Sequence, residues 1–77
     1  KCLRFILLQY LFEYTGENTF AKILHEELAD KCKLDHQLVI TQLLPYLANE
    51  GWAKIATADS VTITEDGIDL IKGLQNN

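Results

Sequence analysis

Proline occurs once in these 77 residues, serine once, methionine not at all, and glycine only four times. So little turn-forming and low-complexity material excludes a disordered tail, a collagen-like chain or a flexible linker. Long apolar runs are lacking too: the longest, Phe5-Ile6-Leu7-Leu8, falls far short of the ~18 residues that span a bilayer. No membrane span is expected. Lys1 and Arg4 precede an apolar stretch, but Gln9, Glu13 and Tyr14 interrupt it and no small-residue cleavage site follows. A signal or transit peptide is therefore not expected either. The chain opens on Lys1 rather than Met, as an excised piece would. Two cysteines, Cys2 and Cys32, are too few for a disulfide framework. A reducing compartment is expected, cytoplasmic or (in a eukaryote) nuclear, and not secretion.

Catalytic motifs are missing as well. There is no Gly-rich phosphate loop, no Ser nucleophile motif and no carboxylate pair with a companion base. Ser60 stands apart from His25 and His36, and a chain this short has little room for a substrate pocket beside its core. The expectation is a protein that is not an enzyme and uses no cofactor or small-molecule substrate. A metal site could be drawn from His25, Cys32 and His36, with Cys2 as a fourth ligand. Those spacings supply no C-x₂₋₄-C or H-x₃₋₅-H pair, so no metal is expected and the cysteines read as small buried hydrophobes.

What is present suits one globular domain over residues 1–77, with 48% hydrophobic and 23% charged residues. Seven basic against eleven acidic residues give a net charge of −4, the wrong sign for an obvious nucleic-acid binder. Leu3, Ile6, Leu7, Tyr10, Leu11 and Tyr14 recur at helical spacing and predict a first helix ending at Gly16, whose left-handed conformation would cap it. Asn18 or Thr19 would cap a second helix from about Phe20 to Cys32, with Phe20, Ile23, Leu24, Leu28 and Cys32 on one side. Asp35 is the expected N-cap of a third helix, His36 to Asn49, with Ile40, Leu43, Leu44 and Leu47 inward. After Gly51 the period changes from 3.6 to 2. Residues 52–56 and 61–64 predict two strands joined through 57–60, and Thr64 caps a last helix bearing Ile68, Leu70, Ile71 and Leu74. Ile40, Leu44, Leu47, Trp52, Ile55 and Ile63 are expected in the core.

Leu24, Leu28, Leu34, Ile40, Leu44, Leu47 and Gly51, followed by Ile63-Thr64-Glu65-Asp66-Gly67-Ile68, carry a likeness across nearly the whole chain. The pattern resembles the winged helix-turn-helix superfamily, and within it small prokaryotic repressor-type domains. The resemblance implies a mostly helical α+β fold: a three-helix core, a two-stranded β wing and a C-terminal helix. It also implies DNA binding in transcriptional regulation, with helix 36–49 in the major groove. Gln37, Thr41, Gln42 and Asn49 are then the candidates for reading base edges, and Lys22, Lys31, Lys33 and Lys54 for contacting phosphates.

A second reading stands beside the first, that of an acidic winged helix that docks or dimerises with protein and does not bind DNA. The third helix contains neither Lys nor Arg, and Asp59 sits at the wing tip where a DNA-binding wing would carry a base. Leu38, Pro45 and Tyr46 form an apolar outward strip suited to a protein partner. Pro45 also lies where the helix must kink, unless the helix starts late. On helix one, Phe5, Leu8 and Phe12 make a second apolar stripe alongside Cys2. That stripe would meet a second copy or another part of a longer chain, or it would pack under the final helix.

Overall fold

A computed structural model describes residues 2–76. Apolar residues at helical spacing build α1, Leu3–Thr15, which ends where Gly16 turns left-handed (φ 58°) and returns its N–H to the Phe12 carbonyl. The chain then turns through residues 16–22. The Asn18 side chain accepts from the Phe20 N–H at 2.9 Å, and the Thr62 hydroxyl donates to the Thr19 carbonyl at 2.7 Å. Next come β1, Ile23–Leu24, and α2, His25–Cys32. Asp35 caps α3 by accepting from the Leu38 N–H at 3.0 Å.

Three segments run on as the single helix α3: His36–Leu38, a π-helical turn at Val39–Leu43, and Leu44–Asn49. The hairpin expected as the wing consists of β2, Ala53–Thr57, and β3, Ser60–Ile63, and α4 is Glu65–Gln75. The result is a mostly helical α+β domain with four helices and a three-stranded antiparallel sheet in the order β1-β3-β2. Among the described residues no helix is long and apolar enough to cross a membrane.

The core lies between α1 and the sheet. Leu7, Leu8 and Leu11 of α1 meet Leu28 and Ala29 of α2, Val39, Leu43, Leu44 and Leu47 of α3, Val61 and Ile63 of β3, and Ile68 and Ile71 of α4. Each of these side chains is at most 6% exposed. Burying a Leu or Ile fully is worth roughly 1.5–3 kcal/mol, so this cluster supplies the main drive to fold. Thr64 welds the last helix to the wing. Its hydroxyl donates to the Gly51 carbonyl at 2.6 Å and accepts from the Gly67 N–H at 3.0 Å. Gly67 is required there, because a Cβ would collide with the Trp52 carbonyl oxygen.

Several expectations need correction. The second helix starts at His25, not near Phe20, because Ile23 and Leu24 pair with Val61 and Ser60 of β3. Phe20 and Leu24 consequently face solvent, at 87% and 50% exposure. Tyr10 and Tyr14 lie on the outside of α1, whose inner face is Leu7, Leu8 and Leu11. The π turn rotates α3 so that Val39 and Leu43 point inward and Ile40 outward. Ile55 pairs with Val61, yet it lies on the edge strand next to a bulge and stays exposed. Trp52 is half-buried, whereas Leu44, Leu47 and Ile63 are in the core as expected.

Candidate functional site

Pro45 determines what α3 shows to solvent. Proline has no N–H to offer the carbonyl four residues back, and its ring clashes with that carbonyl. The helix passes it by widening for one turn, so that the Leu44 N–H bonds to Val39 O, five residues back. The helix therefore neither starts late nor breaks. Past the wide turn, Leu44 and Leu47 return to the core, and the outer side presents Gln37, Ile40, Thr41 and Pro45.

The wing tip meets this outer side. The His25 N–H donates to the Asp59 carbonyl at 2.8 Å, which ties the β2–β3 turn to the start of α2. The Thr57 hydroxyl bonds both the Asp59 carboxylate, at 2.9 Å, and the Ser60 hydroxyl, at 2.6 Å. Between wing tip, α2 and α3 runs a groove of about 170 Å³, lined by Leu24, His25, Glu26, Ile40, Ala58 and Asp59. Its lining combines the apolar Leu24, Ile40 and Ala58 with His25 and the exposed carboxylate residues Glu26 and Asp59. His25 is buried, and its Nε2 atom has no hydrogen-bond partner.

The field around this face is negative. The Asp30 carboxylate, 2.7 Å from the His36 ring, holds that imidazole's pKa above its ordinary value, with Glu26 and Asp35 adding to the effect. Cys32 lies half-buried nearby, and burial pushes its thiol up to about 11. A thiol so raised is a poor metal ligand, because it is the thiolate that binds. Among the described residues, no three His, Cys, Asp or Glu side chains gather as a metal would require.

The proposed base readers are all exposed but do not form one strip. Gln37 and Thr41 flank Ile40, and the Thr41 hydroxyl is spent on the Gln37 carbonyl at 2.6 Å. Gln42 instead lines a separate groove with Cys2, Leu3, Arg4, Leu38 and Leu43, at the start of α1. Asn49 closes the helix, eight residues and about 12 Å beyond Thr41.

The four lysines are spread over three places. Lys22 and Lys54 line a groove of about 430 Å³ on the wing side with Phe20 and Thr62. Lys31 stands beside Tyr10, Glu13 and Tyr14, and Lys33 ends α2 in a left-handed conformation (φ 57°).

Of the six residues expected to contact protein, Phe5 and Pro45 are exposed and the other four are wholly or partly covered within the domain. Leu8 is fully buried, and Phe12, Leu38 and Tyr46 are half-buried against the core; of the α3 strip only Pro45 is exposed. Phe5 stacks on Trp52 with ring centroids 5.8 Å apart, Tyr46 meets Trp52 edge-on at 6.2 Å, and Arg4 lies 4.1 Å over the Tyr46 ring. These contacts brace α1 against the root of the wing. The large apolar side chains that stay exposed are Phe5, Tyr10, Tyr14, Phe20 and Leu74 together with Leu24, Ile40 and Ile55, the last three each assigned by sequence pattern to the interior. The Leu-Val-Ile run at 38–40 held the signal for Ile40, because a wide turn before Pro45 decides which member of that run turns out. Comparisons with family models, with curated proteins and with solved structures found no match to this chain.

Proposed function

We propose that this domain is a winged-helix protein-docking module and that its third helix and wing tip hold another protein where related folds hold DNA. The element order, with β2 and β3 as the wing and α4 closing the chain, supports the winged-helix reading. The short β1 strand beside β3 is compatible with it. One observation carries the functional reading: the face that would enter a major groove is apolar and acidic. Leu24, Ile40 and Ala58 lie there with Glu26 and Asp59, and residues 36–49 contain neither Lys nor Arg.

Phosphate contacts normally supply most of the non-specific affinity for DNA. All four lysines lie outside residues 36–49, and Asp59 and Glu26 beside the groove would repel a phosphate backbone. Gln37 and Thr41 retain the chemistry to touch bases but lack neighbours to hold a duplex in place.

The test is fluorescence anisotropy of a labelled random-sequence duplex at low salt. The docking reading expects no saturable binding. Saturable binding whose log affinity falls with log salt at about −0.9 per phosphate neutralised, and which Lys54→Gln or Lys22→Gln weakens, overturns it in favour of DNA reading.

A further inference from the structure

We infer that the groove between the wing tip, the start of α2 and the middle of α3 receives one bulky apolar side chain from a partner segment that carries Lys or Arg beside it. This inference rests on the docking reading and adds the chemistry of the partner.

The shape comes first. Leu24 and Ile40 are 50% and 37% exposed on opposite walls, although both are large aliphatic residues on regular elements. The groove's volume of about 170 Å³ compares with the ~150 Å³ apolar cavity that accepts benzene, so one aliphatic or small aromatic side chain fits it. A single well-filled pocket of this kind is how interfaces concentrate their affinity.

Its walls are also held in place before any partner arrives. The Asp59 carbonyl is fixed to the His25 N–H, and the Asp59 side chain is fixed by Thr57. Leu24 is held in the extended conformation by pairing with Ser60. Little ordering cost is left for the binding step.

Charge then selects the occupant. The two ionisable rim groups, Glu26 and Asp59, are both carboxylates and both exposed. A neutral or acidic segment would desolvate or repel them, whereas Lys or Arg flanking the anchor pairs with them. His25 lines the groove, is 7% exposed, and has a buried Nε2 atom with no hydrogen-bond partner.

The experiment is selection of a random dodecapeptide library displayed on phage against the whole chain, with counter-selection on Ile40→Glu. Enriched peptides are expected to share one Leu, Ile, Met or Phe beside at least one Lys or Arg. A synthetic peptide of that consensus should bind the parent and bind Ile40→Glu and the Glu26→Lys/Asp59→Lys double variant at least about tenfold more weakly. All three positions are exposed, so urea midpoints near the parent's will show that the variants are folded.

Enriched peptides that are acidic or lack an apolar anchor overturn the inference, and so does a failure to enrich any. Binding unchanged in both variants overturns it while leaving protein docking elsewhere on the domain intact. Concentration-dependent self-association that Ile40→Glu abolishes overturns it too, assigning the groove to a second copy of this chain. Duplex binding in the anisotropy assay removes the docking reading itself, independently of the peptide result.

Discussion

Gly67 and Gly73 lie on the same helix, and the structure assigns opposite signs to the same substitution at the two positions. At Gly67 a Cβ would collide with the Trp52 carbonyl oxygen and stand 3.0 Å from Ile63 Cγ1. Neither neighbour can retreat easily. The Trp52 carbonyl accepts from the Thr64 N–H at 3.2 Å, and Ile63 is 1% exposed. Alanine brings up to about 1 kcal/mol of helix propensity. Overpacking costs roughly 1–3 kcal/mol, and loosening the Gly67 N–H bond to the Thr64 cap about 1 more. Gly67→Ala is therefore expected to destabilise by about 1–3 kcal/mol net. At Gly73 nothing lies within 4 Å of the added Cβ, so Gly73→Ala keeps only the propensity gain of about 0.5–1 kcal/mol. Urea unfolding followed by the fluorescence of Trp52, the only tryptophan, measures both. In thermal melts each kcal/mol should move the midpoint by about 4–8 °C for a domain of this size. A Gly67→Ala variant as stable as the parent, or the same sign at both positions, would refute the packing of α4 under the wing root.

Three further outcomes follow from particular contacts. Leu44→Ala should cost ~2–5 kcal/mol and Ile40→Ala less than about 1, because Leu44 is 1% and Ile40 37% exposed; the reverse order would contradict the rotation of α3 at the π turn. Cys32, with its thiol pushed up to about 11, should resist iodoacetamide in the folded protein while exposed Cys2 reacts, and equal labelling would count against the burial of Cys32. The His36 pKa is raised in the folded state by Asp30. The pair therefore adds stability that is present at low pH and lost as the pH rises through the raised value. Asp30→Asn should lower the His36 titration midpoint read by NMR between about pH 5 and 8, and an unchanged midpoint would show that the contact is not formed in solution.

Local chemistry was legible in the sequence, and non-local pairing was not. Gly16, by lacking a Cβ, and Asp35 and Thr64, through their side-chain oxygens, terminate or cap their helices as expected, because each acts within a few residues of itself. The β1 strand escaped notice because its two residues are extended only through pairing with β3, far along the chain. Read alone, Ile23 and Leu24 continue the apolar spacing of α2. The site was hidden for a related reason. Leu24, Ile40 and Ile55 are apolar at positions that fit a core stripe, and apolarity does not say whether the covering surface belongs to the same molecule. Of the expected strip, Pro45 is exposed while Leu38 and Tyr46 are half-buried. The wide turn at Val39–Leu43 carries Ile40 out of the core, and Tyr46, beyond the turn, is half-covered by Trp52 and Arg4. The absence of cations from residues 36–49, by contrast, was visible from the outset and bears directly on function.

The central claim is that the outer side of α3 and the wing tip bind protein and not DNA. The most direct measurement is a ¹⁵N–¹H correlation spectrum of the domain at low salt, with duplex added to one sample and the selected basic-apolar peptide to another. With the peptide, the amides of Leu24, Glu26, Ile40, Ala58 and Asp59 should shift together and saturate; with the duplex, no amide should. Saturable duplex-induced shifts at Gln37, Thr41 and Lys54, with the groove amides unmoved by peptide, would contradict the account.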